Sequence, residues 1–221
     1  MASPKSEVNP FAFYTERRLV ILTGRKASNL EELLFHLSQV SGSCIFYHTH
    51  HLYLAHHFEK PRFYNEFANW VSQALQEERL AERLAAIDLL AMTSIRELRE
   101  AIVTTIQRHL DGDAKPRRQC PPGDELHFCE AKSFIMPNGL VATDIPEFFR
   151  MIDQVTNACL HFHFFEARLR LERPTNDFSQ WLADLGETRL ALKIDKLNPY
   201  AMTLEELKHE IVKLGRKYGV K

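Results

Sequence analysis

Three features that would classify this chain at once are missing from it. No apolar run approaches the roughly 18 residues that a membrane-spanning helix needs, because histidine or charge breaks each hydrophobic stretch. Charge of one sign is missing too. The 28 basic and 29 acidic residues leave a net charge of -1, so the cationic footprint of a nucleic-acid binder is not there. The third absence is catalytic: the sequence has no GxSxG elbow, no GxxxxGK[ST] or GxGxxG phosphate loop and no HExxH helix. Carboxylates are plentiful, but no pair stands out as the acid and base of a glycosidase, so whether the chain is an enzyme stays open at this level. Cysteine is sparse, and Cys44, Cys120, Cys129 and Cys159 form no CxxC pair, which fits reduced thiols better than a disulfide framework. The start, MASPKSEVNPF, has no apolar signal region. The expectation is a soluble, cytoplasmic protein that binds neither nucleic acid nor membrane.

What is present is self-similarity. With 45% hydrophobic residues, 221 residues can build one large core or two domains of about 100 residues each. Moving the sequence along itself by 115 positions lays SNLEELLFHLSQVSGSCIFYHTHHLYL, 28–54, over TDIPEFFRMIDQVTNACLHFHFFEARL, 143–169. Cys44 meets Cys159, His48 meets His163, and Leu33 and Leu37 meet Phe148 and Ile152. Upstream, Phe13 meets Phe128 and Gly24 meets Gly139; downstream, after gaps, NEFANWV (65–71) resembles NDFSQWL (176–182) and SIRELREAI resembles TLEELKHEI. Internal repetition of this kind predicts two copies of one unit, at 1–111 and 126–221, joined by the Pro- and Gly-rich linker 112–125.

Leu30, Leu33, Leu34 and Leu37 follow helical spacing, as do Ile145, Phe148, Phe149 and Ile152. Ser28 or Asn29 caps the first of these helices and Thr143 or Asp144 the second, with Asn65 and Asn176 capping others. A second helix in each copy carries the histidines, and further helices are expected at 63–76, 79–90, 94–110, 176–185, 187–194 and 203–217. RRLVILTG and KSFIMPNG read as strands, ending in turns at Gly24 and Gly139. The predicted fold is mainly α, a tandem duplication of a helical unit with a short β element in each copy, packed about a pseudo-two-fold axis.

SNLEEL, an aromatic before His48 and His163, EARLRL, TNDFSQW and TLEELKHEI together resemble an uncharacterised family of bacterial proteins, a domain of unknown function about 220 residues long. The resemblance covers nearly the whole chain and is clearest from Phe128 to Ile211. It implies no activity. Association of such proteins with glycosyltransferase and storage-glucan genes implies an accessory role in carbohydrate metabolism.

The chain is histidine-rich, and five of its eleven histidines lie between Cys44 and His57. His48 and His163 are the matched pair, and they neither cap a helix nor make a turn. Each is either a buried imidazole satisfied by protein groups or a metal ligand. If the copies bring their equivalent helices together, His51, three residues after His48, and Glu166, three after His163, complete a nitrogen and oxygen set for zinc, iron or manganese. Cys44 and Cys159, each four residues before its histidine, give a second, tetrahedral arrangement. His161 matters only if its segment is a strand, and His50, His56 and His57 read as surface residues. Trp70 and Trp181, three residues after Phe67 and Phe178, are expected in the core, whereas exposure would make them a ligand platform. Two functions follow: a binding or regulatory module for a protein or small-molecule partner without cofactor, with His48, His163, Trp70 and Trp181 as its ligand-binding candidates, or a metal protein with a His/Glu site between the copies.

Overall fold

The computed structural model describes residues 9–55, 62–89, 91–112, 118–166 and 175–218. Two strands and the helices around them make it mainly α. Strand β1 runs Phe11–Ala27 and β2 runs Leu126–Ala142, and the two pair as a two-stranded sheet. Helices α1 (Leu30–Leu37), α2 (Gly42–Ala55), α3 (Glu66–Gln73), α4 (Glu78–Ala85) and α5 (Ile95–Gly112) lie between the strands. After β2 come α6 (Ile145–Gln154), α7 (Asn157–His161), a π-helical turn at Phe162–Glu166, α8 (Asp177–Asp184), α9 (Thr188–Asp195), a short 3-10 turn at Pro199–Ala201 and α10 (Leu204–Lys217). None of the described helices is long and apolar enough to cross a membrane.

Helix starts follow cap chemistry. Asn29 Oδ1 accepts from the Glu32 amide at 2.9 Å while Glu32 accepts from the Ser28 amide at 2.8 Å, so two otherwise orphaned donors are satisfied at the entry to α1. Asp144, Glu147 and Thr143 repeat this at α6, with both bonds at 2.8 Å. Asn65 caps α3, Asn176 caps α8 and Thr203 forms a full capping box with Glu206.

The unit boundaries differ from the expected 1–111 and 126–221. The chain divides into one unit of 18–133 and another of 134–221 together with 1–17. The reason lies in strand length. Each strand has 17 residues, about 56 Å at the usual rise, far more than the eight apolar-rich positions read from sequence. The start of β1 buries Phe11 and Phe13 with the 134–221 helices, and the start of β2 buries Leu126 and Phe128 with α1–α5. Gly24 and Gly139 do not end their strands; each lies inside one, at φ +77° and +84°, and pairing continues to Ala27 and Ala142. The expected linker is part of a unit, with Cys120 donating to the Ser28 carbonyl at 2.8 Å.

Within 18–133, Leu33, Leu37, Phe67, Leu80, Ile102 and Phe128 are fully buried, and Arg99 donates to the Leu37 and Val40 carbonyls at 2.8 and 2.7 Å, closing the end of α1. In the other unit Phe13, Phe148, Phe178 and Ile211 are fully buried. There α10 approaches α6 so closely that a Cβ on Gly215 would stand 2.5 Å from the Phe149 ring. Alanine favours a helix interior over glycine by roughly 0.5–1 kcal/mol, but the overlap outweighs that gain. Gly215→Ala is expected to destabilise by about 1–3 kcal/mol in urea unfolding, and a stabilised variant would refute the close approach.

Candidate functional site

The matched histidines are built into matched surroundings, one in each unit. On α2, His48 Nδ1 lies 2.8 Å from Glu66 Oε2, and its Nε2 accepts the Cys129 amide of β2 at 2.9 Å. After α7, His163 Nδ1 lies 2.9 Å from Asp177 Oδ2, and its Nε2 accepts the Tyr14 amide of β1 at 2.9 Å. An amide can only donate, so Nε2 is the acceptor and Nδ1–H donates to the carboxylate, which makes both rings neutral. The surrounding rings match as well: Phe67 and Phe128 flank His48 at 5.1 and 5.9 Å, and Phe178 and Phe13 flank His163 at 5.5 and 6.1 Å. Glu66 and Asp177, each in the first turn of its helix, therefore orient the imidazoles.

Of the expected metal set of His48, His51, His163 and Glu166, the two matched histidines have both ring nitrogens engaged in these bonds. His51 stacks on Tyr47 at 4.5 Å. In the second expected arrangement Cys44 and Cys159 are both buried, and burial pushes each thiol up to about 12, with nearby Glu130 adding to the effect at Cys44. At pH 8 both are thiols rather than thiolates, and iodoacetamide should leave them unmodified in the folded protein while labelling them after denaturation. Mass spectrometry checks this, and equal labelling of both states would overturn it.

Of the remaining histidines, His50 is not at the surface. It is buried, stacked on Phe46 at 4.5 Å, with Nδ1 2.7 Å from the Thr49 hydroxyl. His56 and His57 lie outside the described residues.

Both tryptophans are buried, at 8% and 7% exposure, and their indole N–H groups donate to the Asp124 and Asn9 carbonyls at 2.7 and 2.9 Å. Trp70 nonetheless lines a cleft of about 630 Å³ in the 18–133 unit, together with Arg62, Glu66, Asn69, Gln73, Glu125, His127 and Cys129. The wall mixes an indole, two amides, two carboxylates and a guanidinium, and the Glu66 carboxylate on it is held by buried His48 behind. Cys129 is not an activated nucleophile, because burial and the Glu66 charge both raise its pKa.

A third arrangement went unread in the sequence. Glu16 of β1, His161 of α7 and Glu166 of the π turn are all buried and offer ligand atoms within 4.8 Å of one another, the one such trio of metal-binding types among the described residues. His161 Nδ1 lies 3.3 Å from Glu16 Oε1. The i→i+5 turns of a π segment are wider than α turns, which brings residues 161 and 166 to one face. No regular α or β period pairs positions five apart, and Glu16 lies 145 residues earlier, so only the two-carboxylate, one-imidazole composition was a signal.

Residues 8–216 match the model of a family of unknown function, DUF5752. No curated protein matches the chain. Among solved structures, that of OrfY from Thermoproteus tenax is similar, with 27% identity, 94% of each chain covered and a TM-score of 0.82.

Proposed function

We propose that this chain, which belongs to the DUF5752 family of unknown function, is a non-catalytic binding module that takes a small polyhydroxylated ligand, such as a sugar, in the cleft of its 18–133 unit. The observation that carries this reading is the cleft wall, where Trp70 stands beside the donors and acceptors of Arg62, Asn69, Gln73 and Glu66. Sugars present that combination, apolar C–H faces with hydroxyls that both donate and accept. A wall carrying carboxylates beside a guanidinium suits a neutral ligand better than a strongly charged one. His48 is in this reading a positioning residue: it fixes Glu66 and is itself fixed by the Cys129 amide. An accessory role in carbohydrate metabolism is part of the same proposal.

We also infer that the two units arose by tandem duplication. The support is that offsets of 163 − 48, 129 − 14 and 124 − 9 are all 115, linking the histidines, the amides bound to them and the carbonyls bound to the tryptophans.

Fluorescence tests the cleft. In a Trp181→Phe variant the emission reports Trp70, and glucose, maltose or maltotriose should change it saturably. Gln73→Ala, at an exposed cleft position, should weaken that response about tenfold, the effect of one lost hydrogen bond. No saturable change with any of the three sugars up to about 10 mM, where even weak binding of about 1 mM would register, rejects the sugar reading.

A further inference from the structure

We infer that Glu16, His161 and Glu166 form a site for one divalent first-row transition-metal cation, within the unit made of 134–221 and 1–17. The site is separate from the cleft and does not depend on it. Three side chains of ligating type, from a strand, a helix end and a π turn, bring one atom each within 4.8 Å of the others. That convergence is organised. The His161 ring is stacked flat on Phe165, at 4.7 Å and 16°, which fixes the plane in which its nitrogens point. The π turn sets Glu166 on the same face.

Charge favours a cation here. Two carboxylates enclosed at close range repel one another, and a cation placed among them relieves that repulsion. A dication balances two carboxylates and accepts the imidazole lone pair. Oxygen ligands suit manganese and imidazole suits zinc or iron, so the mixed set points to Mn²⁺, Fe²⁺ or Zn²⁺ rather than Ca²⁺ or Mg²⁺. Three protein ligands leave coordination positions open for water.

The other unit argues that the fold itself does not need these residues. Displacing the three positions by 115 gives Ala131, Phe46 and His51. Ala131 and Phe46 are buried, so two of the three places hold apolar side chains and the third holds His51, stacked on Tyr47, in a unit that keeps its histidine–carboxylate pair and its indole bond. A carboxylate at 16 and an imidazole at 161 are therefore not demanded by the shared arrangement of strand and helix.

The test uses the full chain without a histidine tag, stripped with chelator and reloaded separately with Mn²⁺ and Zn²⁺. We expect one equivalent bound per chain by elemental analysis after desalting, a melting temperature raised by the metal and lowered again by chelator, and Mn²⁺ electron paramagnetic resonance signals of an immobilised ion. Glu16→Gln and Glu166→Gln keep side-chain shape and should each weaken uptake by about a hundredfold or more, with the helical circular dichroism unchanged. Glu66→Gln, in the cleft, should leave it intact. Background metal after loading with both ions, together with a melting temperature indifferent to chelator, would overturn the site. Stoichiometric uptake that survives both glutamine variants would also overturn it, by placing the metal elsewhere.

Discussion

Replacing His163 with alanine is expected to cost about 3–4 kcal/mol of unfolding free energy. The change removes the acceptor of the Tyr14 amide and the donor to Asp177 and leaves a cavity among Phe11, Phe13 and Phe178. A stranded donor or acceptor costs roughly 1–3 kcal/mol by itself, and the lost ring adds packing and cavity contributions. His48→Ala should cost less, about 2–3 kcal/mol. The Glu66 side chain is 35% exposed and recovers water when its partner goes, whereas that of Asp177 is 15% exposed and recovers less. Once His163 is gone, Asp177→Ala should add little, so a double-mutant cycle should be strongly non-additive. Urea unfolding of the four proteins measures this. Equal costs for the two histidines, or additive effects of the pair, would mean the imidazoles are held by packing and not by their bonds.

The sequence revealed that His48 and His163 matter together, because the 115-residue offset exposes them as a matched pair in apolar surroundings. It did not reveal their partners. Glu66 and Asp177 stand where any acidic residue would be useful to a helix N-terminus, and the other bond comes from strand amides 81 and 149 residues away, which carry no side-chain signal. The caps at Asn65, Asn176 and Thr203 were legible because capping is local chemistry, complete within about four residues. Strand extent was not. Phe11 and Phe13 alternate with Ala12, as a half-buried strand should, but the alternation is short and stops where Leu19–Leu22 give four exposed apolar residues in a row. Pattern reading found that run and missed the buried ends, so the partition of each strand between units was invisible. The same limit hid Glu16, whose partners lie at the far end of the chain.

Phe148→Ala should be the most damaging single truncation, at about 4 kcal/mol. Its ring is fully buried and stands 5.3 Å from Phe11, 5.7 Å from Phe13, 5.6 Å from Phe178 and 5.1 Å from Trp181, so it touches the strand, its own helix and α8 at once. Removing it forfeits the transfer energy of a large side chain and opens a space that rigid rings on several sides cannot easily collapse to fill, which keeps the cost well inside the roughly 3–5 kcal/mol range for Phe→Ala changes. Phe35 on α1 is the control: it is 58% exposed, and Phe35→Ala should fall within about 0.5 kcal/mol of the parent. The Trp181 contact supplies a local readout, since near-ultraviolet circular dichroism of the indole should lose its fixed-environment signal in Phe148→Ala and keep it in Phe35→Ala. A cost below about 1.5 kcal/mol, with the indole signal unchanged, would mean that the rings around position 148 repack freely and that the aromatic cluster is not what holds β1 to α6 and α8.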